Sequence, residues 1–186
     1  MKKIKQTVNI FWFRRDLRFE DNRALYEATK SEMQVLPLFI FDTDILSQLE
    51  DKNDRRVDFV FQALSDLQSK LTAMDRSLCI RVGKPLDIFK TLLEEYDVKA
   101  VYTNSDYEQS AIARDRAIEA FLSTNSIRFH SFKDQVIFEW NQVLKANGEP
   151  YTIFTPYSKV WKQKLSENDL LPYPSEDFIS KVIPME

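Results

Sequence analysis

Two rhythms alternate along the chain. Residues 8–13, 35–41, 78–82, 100–103 and 127–132 are short apolar runs that read as strands. Most lack the alternation of a half-exposed strand, as expected for a parallel sheet covered on both faces. Between them, apolar positions recur in steps of three and four. Residues 54–74 carry Val57, Val60, Phe61, Leu64, Leu67, Leu71 and Met74 on one helical stripe. Residues 86–96 repeat this with Leu86, Phe89, Leu92, Leu93 and Tyr96, and residues 107–122 with Ala111, Ile118, Phe121 and Leu122. A shorter helix is expected after Asp21, a residue type suited to an N-cap. Strand–helix–strand units of this kind cross over right-handedly. They predict an α/β, doubly wound, Rossmann-like fold, a five-stranded parallel sheet with helices on both faces.

The pattern changes near Phe138. One short helix is expected over 158–165, and the last stretch, LLPYPSEDFISKVIPME, holds three prolines and no period. It reads as an interdomain linker. Residues 1–135 are thus expected to form the α/β domain, and 136–186 its end and a linker toward a second domain absent from this chain.

Composition narrows the chemistry. With 26 basic and 29 acidic residues and no basic stripe, the chain itself is a poor nucleic-acid surface. One cysteine, Cys79, precludes an internal disulfide, and Cys79 with His130 is too small a set for zinc, so no metal site is expected. No apolar run is long enough to span a bilayer, and the polar residues 1–6 lack a signal-peptide core, which leaves a cytoplasmic expectation.

The first strand ends in charge: Arg14, Arg15, Asp16 and Arg18 follow it directly. In open α/β sheets ligands sit beyond the carboxyl ends of the strands, where the strand order reverses. A glycine-rich turn usually serves phosphates there. This chain has only Gly83 and Gly148, so a ligand at this edge must be held by side chains. Arginine forks grip carbonyls, carboxylates or phosphates at two points. The alternative is that Arg14, Asp16 and Arg18 form an ion-pair lock between loop and helix.

The stretch FWFRRDLRFEDNRAL resembles the opening of the DNA photolyase/cryptochrome family. LFIFDTDIL, NSDYEQSAIARDRAI and YTIFTPYSKVW resemble further family motifs in the same order. The resemblance implies the amino-terminal domain of a two-domain flavoprotein that repairs cyclobutane pyrimidine dimers in blue light. FAD and damaged DNA would be held by the missing helical domain, and this chain alone would hold no catalytic residue. A cryptochrome photoreceptor is the alternative. The resemblance also implies a second, antenna chromophore. In folate-binding members an Asn-Glu pair holds methenyl-folate; Ser110 and Ala111 stand there, which disfavours folate. Members with FMN or a deazaflavin use an Asp-x-Glu, matched by Asp106 and Glu108. Phe39 and Asp42 match an aromatic and an aspartate on strand two. Arg15 and Arg56, or its neighbour Arg55, match two arginines. Each has a plainer role open to it: Phe39 as core, Asp106 and Asp42 as caps, Glu108 in a first helical turn, Arg55 and Arg56 on a solvated face. Arg114 and Asp115 are expected as surface or interhelix ion pairs, Cys79 as an inert buried residue and Trp12 as core. Phe154, Pro156, Tyr157 and Trp161 are expected to pack a core or an interdomain seam. A monomer without membrane attachment is expected. Nucleotide-binding relatives of this architecture would want a Gly-rich or His-containing phosphate loop after strand one, which this chain lacks.

Overall fold

The computed structural model describes residues 4–51 and 53–185; residues 1–3, part of the polar start, lie outside. Five strands form one parallel sheet: β1 (Thr7–Phe13), β2 (Gln34–Asp42), β3 (Cys79–Gly83), β4 (Asp97–Asn104) and β5 (Arg128–Phe132). Their order is β3-β2-β1-β4-β5. Helices α1 (Arg23–Thr29), α2 (Thr43–Leu46), α3 (Arg55–Thr72), α4 (Pro85–Glu95), α5 (Gln109–Thr124) and α6 (Phe154–Lys164) connect and follow them.

Alternation along β1 builds two cores. Phe11 and Phe13 point to one face, packed with Ala24, Leu25 and Ala28 of α1 and Leu64, Leu67 and Leu71 of α3. Val8, Ile10 and Trp12 point to the other, with Phe89 and Leu92 of α4 and Ile118 and Leu122 of α5. The sheet is therefore buried on both sides, which is why its strands read as continuous apolar runs. Pro37 lies in β2, but β3 starts pairing only at Leu38. The proline's missing N–H thus costs that ladder nothing.

Three expectations need correction. The cap of α1 is Asn22, whose side chain accepts from the Leu25 N–H; Asp21 instead takes a positive φ of 49°. Phe61 and Met74 are not core but 62% and 48% exposed. The carboxyl-terminal stretch does not leave the domain as a bare linker. A 3-10 helix, Ser175–Lys181, and the residues after it dock beside α1 and β2, burying Ile179, Val182 and Ile183. Ser175 Oγ accepts from the Asn22 N–H and donates to the Phe19 carbonyl, tying this stretch to the loop after β1. Helix α6 starts at Phe154 and buries no residue; Phe154 is 78% exposed, while Trp161 meets Phe138 edge-on.

Candidate functional site

The strand order reverses between β1 and β4, so the loops after these two strands flank the crevice where α/β sheets bind ligands. The loop after β1 is held from below. Arg14 grips both carboxylate oxygens of Asp115 on α5, at 2.8 and 2.6 Å, and also donates to the Asn104 carbonyl. The buried Asp16 carboxylate accepts from the Arg14 N–H at 2.8 Å, Asn22 Nδ2 at 3.1 Å and Asn104 Nδ2 at 2.6 Å. Arg18 reaches Asp134 at 2.8 Å. Arg14 is thus the ion-pair lock between loop and helix, whereas Asp16 holds the loop through neutral donors and Arg18 pairs with the loop after β5. The Arg14–Asp115 pair is buried rather than a surface pair, with side chains 8% and 14% exposed.

Arg15 is the remaining charge of the turn, and it faces outward. Its guanidinium lies 2.5 Å from Glu108 Oε1, and its Nε lies 3.5 Å from Asp106 Oδ2. Hydrogen bonding to Glu108 raises the Arg15 pKa, with smaller support from the charges of Asp106 and Glu108, against a lowering by burial. Asp106 does not cap the helix directly. Helix α5 begins at Gln109, two residues later than the periodicity suggests; Glu108 holds the N-cap position, and Asp106 closes a turn by accepting the Glu108 N–H at 3.1 Å.

These residues rim a cleft of about 380 Å³, within the range of roughly 300–1,000 Å³ usual for small-molecule sites. Its apolar lining includes Phe39, Phe41, Leu46, Val57 and Val60. Phe39 is at once core and lining, 7% exposed, with Phe41 edge-on at 5.0 Å. Arg15, Phe39, Asp42, Arg56, Asp106 and Glu108 all line this one cleft; Arg55 does not. Asp42 also caps α2, accepting from the Asp44 N–H. Arg56 is paired with Asp54 at 2.5 Å, and this hydrogen bonding holds the Asp54 carboxyl down at about 2. A larger depression of about 750 Å³ lies toward β5 and Trp140, but Asp106 is its only member of the six.

Sequence reasoning gave Asn104 no role; it had Trp12 as core and Arg114 as an ion pair, both of which hold, but not that both also line the cleft. Arg114 lines the cleft, and burial pushes its pKa down, as does the neighbouring Arg14. The available signal was its position: Ala111, Arg114 and Ile118 share one helical stripe, and a charge on a buried stripe has a partner or a task. Cys79 is half-buried, and burial pushes its thiol pKa up. Among the described residues no group of three or more His, Cys, Asp or Glu could hold a metal ion, and no helix is long and apolar enough to cross a membrane.

Residues 9–175 match the family model described as DNA photolyase. A deoxyribodipyrimidine photo-lyase from Synechococcus sp. is 33% identical over 153 residues, which are 82% of this chain and 31% of that protein. A class III photolyase from Agrobacterium tumefaciens shares the fold at a TM-score of 0.78 and 24% identity, over 100% of this chain and 36% of that one. An archaeal photolyase from Sulfolobus tokodaii does so at 0.69 and 23%, over 97% and 42%. The chain thus spans between 31% and 42% of the length of these proteins. Matched in residues along most of its length and in fold along nearly all of it, the chain belongs to the DNA photolyase family.

Proposed function

We propose that this domain holds the light-harvesting chromophore of a deoxyribodipyrimidine photolyase. In the complete protein, FAD and the damaged DNA are held by a helical domain outside this chain, and blue light drives the splitting of cyclobutane pyrimidine dimers. The observation that carries the antenna reading is the meeting of Arg15, Asp106 and Glu108 from two loops above a lining built on Phe39. The residues fit a flat tricyclic ring such as FMN or a deazaflavin. Phe39, Phe41, Val57 and Val60 offer apolar contact to its faces. Asp106, Glu108 and Asp42 can accept from ring N–H and ribityl hydroxyl groups, and Arg15 and Arg56 can donate to carbonyls or a phosphate. When bound, such a group absorbs light and passes the excitation on. Methenyl-folate fits less well, because Ser110 and Ala111 offer no carboxylate. The Sulfolobus tokodaii photolyase, whose structure holds two FAD molecules with the implication of a novel light-harvesting cofactor, supports a flavin in this role.

The test is photorepair. The full-length product of the gene, with its flavin reduced, is illuminated with blue light on a thymine-dimer oligonucleotide. Restored thymines are expected. Intact dimers despite bound, photoreduced FAD would instead favour a cryptochrome photoreceptor or a photolyase for another lesion.

A further inference from the structure

Trp12 is one of the residues that line the cleft. It stands at the end of β1, 2% exposed. Two guanidiniums lie over it: Cζ of Arg14 is 5.3 Å and Cζ of Arg114 is 5.0 Å from the ring centroid. Phe89 meets it edge-on, with 5.3 Å between centroids. Both arginines share one carboxylate, Asp115, at 2.6 Å from Arg14 and 3.2 Å from Arg114. The two guanidiniums lie against the indole itself, while the charges that offset them, Asp115 and the more distant Asp42, sit on the arginines' side. This is a costly way to fill space, since burial and the like charge of Arg14 both disfavour the charged form of Arg114. The Arg14–Asp115 pair alone suffices to lock the loop to α5, so locking does not account for Arg114.

Photochemistry supplies a reason. Indole is an easily oxidised side chain, and an excited flavin-type ring is a strong oxidant. An indole beside such a ring quenches it: one electron passes from the indole to the excited ring and then returns, and the excitation is lost as heat. A cation over an aromatic face is attracted to its electrons. By the same interaction it makes removing one of them harder. We propose that Arg14 and Arg114 keep Trp12 from donating an electron to a chromophore in the adjacent cleft, so that the excitation survives to be passed on. The inference rests on the antenna reading of the cleft. It makes Arg114 a positioning residue of a particular kind, acting on the chromophore's excited state through Trp12.

The experiment is time-resolved emission of FMN bound to the chain. It compares the wild type, Arg114→Met, Arg114→Lys, and Arg114→Met combined with Trp12→Phe. The expected result is a lifetime shortened several-fold in Arg114→Met, close to wild type in Arg114→Lys, and restored in the double variant. Far-UV circular dichroism checks folding; should Arg114→Met not fold, Arg114→Gln carries the same expectation. Bound FMN with an unchanged lifetime in the uncharged variant overturns the proposal, as does a shortening that Trp12→Phe leaves in place. A wild-type chain that binds neither FMN nor a deazaflavin overturns the antenna reading and this proposal with it, an outcome distinct from the other two.

Discussion

Replacing Asn104 by alanine tests whether the loop that carries Arg15 is fixed by one buried polar cluster. Asn104 is 6% exposed at the end of β4. Its Nδ2 donates to Asp16 Oδ2 at 2.6 Å and to Asn22 Oδ1 at 2.9 Å, and its Oδ1 accepts from the Ala24 N–H at 3.0 Å. The two neutral bonds contribute about 1 kcal/mol each and the carboxylate bond about 1.5–3 kcal/mol. Their sum is an upper value, because bonds sharing partners are not additive and water can enter the vacated space; the expected loss is about 3 kcal/mol. For a chain of this size that lowers Tm by about 6–12 °C. Urea unfolding followed by far-UV circular dichroism measures it, with an unchanged slope showing that the compactness of the two end states is unaltered. A loss below about 1 kcal/mol would refute the cluster as the loop's anchor. Because Arg15 rides on that loop, FMN affinity is also expected to fall in the variant under conditions where it remains fully folded.

Other outcomes follow from single features. Asp54 titrates at about 2 instead of 3.8 because of its hydrogen bonds to Arg56. Its folded pKa is depressed, so the pairing contributes above the ordinary value and is lost as pH falls from about 4 toward 2. Carbon-detected NMR titration should place the Asp54 midpoint there, and Arg56→Met should return it toward its ordinary value. Gly83 has φ of 154°, and an added Cβ would lie 3.0 Å from Ile88 Cδ1. Gly83→Ala should therefore destabilise by about 1–3 kcal/mol, read from the urea midpoint. Burial raises the Cys79 thiol pKa, so the folded chain should react with a disulfide reagent at pH 8 more slowly than the urea-unfolded chain.

The sheet was legible because burial on both faces leaves unbroken apolar runs, and the crevice because a charged turn follows the first of them. What escaped was set by tertiary context. β4 runs Asp97–Asn104, longer than its apolar run, because Asp97 and Lys99 sit where the strand's start meets solvent. The docking of Ser175–Lys181 depends on Ile179, Val182 and Ile183, three apolar residues in a short stretch between Pro174 and Pro184 that is too brief to show a period. Phe61 fits the period of α3, but the buried face of that helix is Leu64, Leu67 and Leu71, and Phe61 stays 62% exposed. The six residues around the cleft come from four separate segments, and only family motifs tied them together. Asn104 is an unremarked polar residue in sequence, and its weight comes from the two loops it joins.

The central claim is that the cleft beside Arg15, Asp106 and Phe39 binds a flavin-type ring. Equilibrium titration of FMN with the chain, followed by fluorescence anisotropy, tests it most directly, with Arg15→Ala combined with Asp106→Asn as the comparison. Saturable binding is expected, weakened in the double variant by about 1–3 kcal/mol for each buried bond lost, or at least several-fold in affinity. Affinity unchanged in the double variant, or no saturation in the wild type, would contradict the account.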